Sequence, residues 1–245
     1  MPSVADSKVK GVSDVKASVS HTQRVPKAAD SPDDTTRAKR RKNYDTYKTF
    51  IQKLLQEEHP GGIGGGALDV IDSYVKITHD KLIHNADLIL RRSKKKTLSE
   101  KEIYCAVLLT VNDNLSQEAN REGRRAVESY VQSTSSKDAA AGRSSKSSKA
   151  SLVFPVSRIG DRVKATSALD GLRVGEKAVV FLTAVLEYLT RKLLRSAGEV
   201  AKTGKNKHKR ITARDIKLAI VGDQGLRELT KGVYIPGGVA VGVRE

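Results

Sequence analysis

Two short basic clusters carry the most explicit chemistry in this sequence. Lys94-Lys95-Lys96-Thr97 stands just before Ser99, and Lys207-His208-Lys209-Arg210 just before Thr212, each Ser or Thr being suited to cap a following helix. Ammonium and guanidinium groups gathered beside a helix terminus suit phosphate oxygens, and two clusters at equivalent termini imply two equivalent contacts. A glycine-rich stretch, GGIGGG over 61–66, offers backbone N–H groups for the same purpose. It lacks the Lys-Ser/Thr and the preceding strand of a nucleotide phosphate loop. Other chemistry is not encoded at readable spacing. His21, His59, His79, His84 and His208 are scattered without the spacing of metal ligands, and His79 and His84 do not share a helical face. Cys105, beside Ala106-Val107, reads as a small buried hydrophobe rather than a nucleophile. No Ser/His/Asp set or convergent carboxylate pair is present, so no catalytic residue, metal, cofactor or small-molecule substrate is expected, and the chain does not read as an enzyme.

Composition narrows the partner. The 245 residues include 45 Lys+Arg against 28 Asp+Glu, a formal net charge of +17. Such an excess repels itself unless a polyanion neutralises it, which points to nucleic acid or an anionic membrane. No apolar run approaches the roughly 20 residues of a bilayer helix, and the N-terminus is polar, so membrane association by spanning or by a signal peptide is not expected. The expectation is an intracellular, soluble protein. A single cysteine rules out intramolecular disulfides and thiolate metal clusters. Aromatics at 4 % with no Trp argue against a base-stacking platform for single strands, leaving duplex phosphate as the better ligand.

The elements that would position these clusters come in two sets. Residues 1–42 lack periodicity and end in Arg37, Lys39, Arg40, Arg41 and Lys42, a disordered basic tail. Residues 133–151 are almost entirely Ser, Ala, Gly and Lys, a flexible linker. Between them, over 43–132, Tyr47, Phe50, Ile51, Leu54 and Leu55 mark a short helix that stops at His59-Pro60. Leu68, Ile71, Tyr74, Val75, Thr78, Leu82, Ala86 and Ile89 then hold one face for roughly 39 Å. Ser99 with Glu102 forms a capping box for a third helix, and a last amphipathic segment runs over about 114–131. Over 152–232 the scheme repeats: a short helix opening at Phe154-Pro155-Val156, the turn-rich SALDGLRVG, and a long helix with Val179, Leu182, Val185, Leu186, Leu189 and Leu193 on one face. The loop KNKHKR and a helix capped by Thr212 complete it. A shift of 111 residues superposes the long helices, placing Ile71 on Leu182 and Leu82 on Leu193.

A long helix flanked by two short ones cannot bury its stripe against them alone. Crossing two such units antiparallel buries every apolar face, with Leu68, Ile71, Val75 and Leu82 of one against Leu182, Val185, Leu186, Leu189 and Leu193 of the other. The arrangement also sets 61–66 beside 205–210, and 167–175 beside 93–97. The fold class expected is therefore all-α, two tandem units paired within one chain. A linker of about 20 residues spans about 25 Å as a coil and keeps the two units at an effective concentration near the millimolar range.

Specific motifs resemble a known family. Phe154-Pro155-Val156, Arg173-Val174-Gly175, AVLEYLT over 184–190 and Arg210-Ile211-Thr212 resemble a core histone of the 2A type. Tyr44, His59-Pro60, the 99–106 segment, and Glu122-Gly123 with Ala126-Val127 resemble the 2B type. Their order in one chain is similar to that of the fused histone doublets of large DNA viruses. The resemblance implies histone folds paired in a handshake that wrap double-stranded DNA without sequence specificity in a nucleosome-like particle. It implies chromatin as the location, and for a viral chain the virion and the host nucleus or viral factory. It also assigns residues. Arg158 matches a phosphate-binding Arg, Arg173 the first-loop Arg, and Arg210 the second-loop Arg that enters the minor groove. Lys94, Lys95, Lys96 and Thr97 match a second-loop phosphate site, to which Lys207, Lys209 and the tail residues Arg40, Arg41 and Lys42 add charge. Two departures weaken the match: Asp161 replaces a basic residue, and Gly64, Gly65 and Gly66 replace a first loop bearing Ser and Lys, so that only backbone N–H groups remain as ligands there. Glu122, Glu187 and Asp223 occupy positions of the family's acidic patch, but Asn114, Lys192, Arg195, Gln224 and Gly225 stand where further acids belong, leaving it largely neutralised. Val233, Tyr234, Ile235, Gly237 and Gly238 resemble a segment that docks onto the 3/4-type histones, expected here as a second doublet; the chain ends soon after, at Glu245, so weaker docking is expected. Competing readings are a histone-fold transcription or architectural factor acting alone, and a DNA-modifying enzyme.

Overall fold

The computed structural model describes residues 46–111, 113–135, 144–166, 171–203, 208–231, 234–235 and 239–240. The tail over 1–42, with Arg40, Arg41 and Lys42, and also Lys207, Val233, Gly237 and Gly238 lie outside the described residues. Helix α1 spans Lys48–Glu58, α2 Gly65–Ser93, α3 Glu100–Thr110 and α4 Asp113–Ser135. After these come α5 Lys146–Lys149, α6 Val156–Ala165, α7 Glu176–Thr203, α8 Ala213–Gly222 and α9 Gln224–Thr230. Four two-residue strands complete the order: β1 Thr97–Leu98, β2 Arg173–Val174, β3 Tyr234–Ile235 and β4 Val239–Ala240.

The local reasons for these boundaries are legible. α1 ends before Pro60, which cannot extend a helix backward across its ring. α2 closes through Lys94 in the left-handed region (φ 52), whose N–H reaches Arg91 O while the Lys95 N–H reaches Leu90 O. α3 and α8 both open on reciprocal caps, Ser99 with Glu102 and Thr212 with Asp215. α2 begins at 65 and α7 at 176, the same spacing of 111 found by overlaying the sequence.

Packing joins the two sets rather than closing each on itself. α7 lies against α1, α3 and α4 of the first set as well as α6 and α8 of its own, and α2 lies against α7, α8 and α9 as well as α1 and α3. Leu68, Ile71, Val75, Leu82, Leu182, Val185, Leu186, Leu189 and Leu193 are all buried in one apolar core. The aromatic rings of Tyr47 and Phe154 stack at 6.0 Å where α1 meets the start of α6.

Three features differ from the sequence reading. The expected linker is ordered at its end: Ser145 Oγ accepts the Ser148 N–H at 3.1 Å, Ser133 Oγ donates to Lys149 O at 3.1 Å, and Ala150 is buried. Serines that read as flexible spacers serve here as helix caps and ties. α9 is not anticipated, because seven residues are too few to show a period; Asp223 starts it by accepting the Leu226 N–H at 3.1 Å. Cys105 is exposed, not buried, since the buried face of α3 is Glu102, Ile103, Ala106 and Val107.

Gly123 makes the α4–α7 contact possible. A Cβ there would sit 2.7–2.9 Å from three atoms of the buried Phe181 ring. Gly123→Ala is expected to lower stability, because overpacking at about 1–3 kcal/mol exceeds a helix-propensity gain of at most about 1 kcal/mol. Urea unfolding checks this, and Phe181→Leu in the same chain should recover much of the loss. A more stable Gly123→Ala protein would refute the close contact.

Candidate nucleic-acid interface

Two junctions bring the basic loops together, each joining the first loop of one set to the second loop of the other. At the first junction β1 and β2 pair in parallel, Thr97 opposite Arg173 and Leu98 opposite Val174. Arg173 N–H donates to Lys96 O and Gly175 N–H to Leu98 O, both at 2.9 Å. Gly175 is required there, since a Cβ would come within 2.9 Å of Leu98 O. Lys94, Lys96, Thr97 and Arg173 are exposed around this junction.

Lys95 departs from its expected role. Its ammonium lies 2.7 Å from the buried Glu102 carboxylate, which also accepts the Ser99 N–H at 2.9 Å and bonds the Ser99 hydroxyl. Lys95 therefore serves the helix cap as well, with its side chain still about half exposed at 54 %. Burial would raise the pKa of Glu102, but hydrogen bonds from Lys95 and Ser99 outweigh it and hold the carboxyl down at about 2. A carboxyl depressed on folding stabilises above its ordinary pKa of 4.5, and that contribution is lost as pH falls from there toward about 2. Thermal unfolding of the Glu102→Gln protein should converge on that of the parent across this acid window and differ most above it. A constant difference at every pH would contradict the assignment.

The second junction mirrors the first. Ile63 and Ile211 form a parallel bridge, with Gly64 N–H donating to Ile211 O and Ile211 N–H donating to Gly62 O, each at 3.0 Å. The close approach needs glycine twice: a Cβ on Gly61 would overlap Lys209 O, and Gly62 has φ +81. His208 Nε2 lies 2.7 Å from Asp215 Oδ2, the counterpart of Lys95 on Glu102. Lys209 and Arg210 are exposed, and the Arg210 guanidinium lies over Gly62.

Gly64 is expected from the sequence to offer its N–H to phosphate, but that N–H is used by Ile211 O. Gly65 and Gly66 are not loop residues; they form the first turn of α2, where N–H groups have no partner within the helix. Gly65, exposed with open space around it, keeps the expected backbone role at a helix terminus.

Arg158 sits between the sets on α6. Its guanidinium lies 5.2 Å over the Phe50 ring, and its Nη1 reaches Thr46 O at 3.4 Å.

Of the expected acidic residues, Glu122 and Glu187 line one groove together with Glu58, and Asp223 lines another beside Lys192. Glu187 is 5 % exposed and accepts the Val153 and Phe154 N–H groups at 2.8 and 2.9 Å, with Arg191 at 3.2 Å. It ties down the chain entering α6, so that little of its carboxylate is left exposed in the groove it shares with Glu122. Asp223 is the cap of α9 and has Lys192 at 3.9 Å. Glu122 lines a groove that also holds Arg125 and Arg195, and Arg195 pairs with Glu58 at 2.9 Å.

Of the segment expected to dock, Tyr234–Ile235 pairs antiparallel with Val239–Ala240, and these strands run beside α2 and α8. Its point of departure is set by Lys81, which the sequence reading missed. Lys81 Nζ donates to Leu229 O at 2.7 Å and to Lys231 O at 3.1 Å, satisfying carbonyls at the end of α9. A lysine on a helix gives no sequence signal for a partner so far along the chain. Asp215, also overlooked, did carry one, because Thr212-x-x-Asp215 follows the capping pattern of Ser99 and Glu102.

Among the described residues no helix is long and apolar enough to cross a membrane, and no group of three His, Cys, Asp or Glu could hold a metal ion.

The chain is similar to known proteins over part of its length. A family model described as the core histone domain, covering the 2A, 2B, 3 and 4 types, matches residues 132–222. The 2A.Z histone of Scheffersomyces stipitis is 48 % identical over 104 residues, which is 42 % of this chain and 76 % of that protein. Variant 1 of the 2A histone of Arabidopsis thaliana is 44 % identical over 95 residues, 39 % of this chain and 68 % of that protein. The crystal structure of the histone from Methanopyrus kandleri aligns with 74 % of this chain and 98 % of its own, at 19 % identity and a TM-score of 0.43. By its similarity to the two 2A-type relatives and by the helical architecture that carries it, the chain belongs to the core histone family.

Proposed function

We propose that this protein is a chromatin protein in which a 2B-like histone fold, over 43–132, and a 2A-like fold, over 152–232, pair within one chain and wrap double-stranded DNA without sequence specificity. The observation that carries the reading is the pair of parallel loop junctions. They leave Lys94, Lys96 and Arg173 exposed at one and Lys209 and Arg210 exposed at the other. Backbone-built junctions hold the cations in register, and phosphate-directed binding needs no contact with base edges.

The particle would be completed by 3/4-type histones, themselves expected as a fused doublet. Leu88, Leu108 and Leu109 are 46 %, 41 % and 70 % exposed. They flank the 2.7 Å hydrogen bond from Asn85 to Thr110 that joins α2 to α3. Large apolar side chains grouped in this way suit a docking face for another histone pair. The paired strands Tyr234–Ile235 and Val239–Ala240 would supply a second contact. Chromatin of the nucleus is the expected location. If the chain is viral, its task is compaction of the viral genome in the virion, host nucleus or viral factory.

Nuclease digestion of a random-sequence duplex, with the protein alone and with a purified 3/4-type doublet, tests the reading. A discrete protected fragment that appears or lengthens only with the partner is the expected result. Protection by this chain alone, unchanged by the partner, would make it an independent architectural protein instead.

A further inference from the structure

We propose that the outer face of α4 is a docking surface for an acidic peptide segment of a protein partner. Gln117, Asn120, Arg121, Arg124, Arg125 and Glu128 recur at the three- and four-residue spacing that places them on one side of the helix. With Tyr104 of α3 they line a groove of about 450 Å³. The three arginines are exposed, and the Arg124 guanidinium is steadied 4.8 Å above the Tyr104 ring. At the floor lies Asn120, 3 % exposed, whose Oδ1 and Nδ2 both lack a hydrogen-bond partner. A buried amide without partners is costly in the free protein, and a peptide group offers the acceptor and donor it lacks.

Charge decides the class of partner. In the neighbouring groove that shares Arg125, Arg191 and Arg195 are already matched by Glu57, Glu58 and Glu187, so cationic demand concentrates on Arg121, Arg124 and Arg125. Glu118, Glu122 and Glu128 are interleaved along the same helix. A duplex, with its unbroken row of phosphates, meets repulsion at each of these, whereas spaced carboxylates can take the planar arginine forks one by one. The surface is distinct from the loop junctions and does not depend on the proposed DNA contacts.

The test is fluorescence anisotropy of the full chain with a labelled peptide of alternating Glu and Gly, and with its Gln-for-Glu counterpart. Two variants remove equal charge: R121Q/R124Q/R125Q from the stripe and K94Q/K96Q/K209Q from the loops. Gln is a good helix former, so circular dichroism should be unchanged. The stripe variant is expected to lose more than about 10-fold in affinity for the Glu peptide, and the loop variant less than about 3-fold. For duplex DNA the order should reverse. Equal loss of peptide by both variants would reduce the effect to net charge and overturn the proposal. A stripe variant that loses duplex affinity as much as the loop variant would assign the stripe to DNA and overturn it too. Nuclear magnetic resonance of the unsubstituted protein gives a check independent of variant folding: the Asn120 side-chain amide should shift on peptide addition, and an unmoved resonance would overturn the proposal.

Discussion

Glu187→Ala is expected to cost about 2–4 kcal/mol of stability, the order for leaving two backbone N–H groups without their charged acceptor. The carboxylate is 5 % exposed and accepts two backbone N–H groups, from Val153 and Phe154, in addition to Arg191. Alanine leaves both N–H groups without that acceptor, while Arg191 keeps Glu57 at 2.7 Å and Glu58 at 3.3 Å; Phe154 is fully buried, so water cannot replace the carboxylate freely there. Glu187→Gln keeps one carbonyl oxygen and should cost about 1–2 kcal/mol, a neutral acceptor being weaker than a charged one. Denaturant unfolding gives the magnitudes, and amide exchange locates them, with Val153 and Phe154 losing protection first. An alanine variant within about 1 kcal/mol of the parent would show that the tie between α7 and the start of α6 is dispensable.

The second large effect concerns binding. Arg173→Ala with Arg210→Ala removes one exposed guanidinium from each loop junction. Affinity for a duplex should fall by about 10- to 100-fold at moderate salt, and the slope of log affinity against log salt should shrink by nearly two, one for each lost phosphate contact. The loss should be the same for unrelated duplex sequences, because neither residue is expected to read bases. Lys95→Gln provides the contrast: its ammonium is held by Glu102, so stability should fall while the salt slope stays nearly unchanged. Filter binding over a salt series measures both. An unchanged slope for the double variant would place the DNA surface elsewhere.

How much of this is legible in the sequence depends on the kind of interaction. Periodic apolar residues reveal long helices directly, and the repeat places both long helices and their 111-residue spacing. Loop clusters are legible as charge, but their partners are not. Nothing in Lys94-Lys95-Lys96 distinguishes the lysine that reaches back to Glu102 from the two beside it, because that choice depends on the direction the chain takes after Lys94 turns left-handed. The glycine loop misleads for the same reason. Composition gives Gly64 and Gly65 the same character, and only the bridge to Ile211 assigns one N–H to the fold and leaves the other at a helix terminus. Glu187 looks like a surface acid in a motif, while its burial is set by the backbone of 153–154 crossing above α7.

The junctions and the Lys81 contact have a further consequence, in the time course of synthesis. Lys81 and Leu229 are 148 residues apart, and Ile63 must wait for Ile211. At ribosomal rates of about 5–20 residues per second, the first set of helices stays without its partner on the order of 10 s after it is made. During that interval the stripe of Leu68, Ile71, Val75 and Leu82 is open to the equivalent long helix of another nascent chain. Crowding of ribosomes on one message therefore favours exchange between chains, and the brevity of the connection after Ser135 is what gives the local partner its kinetic advantage.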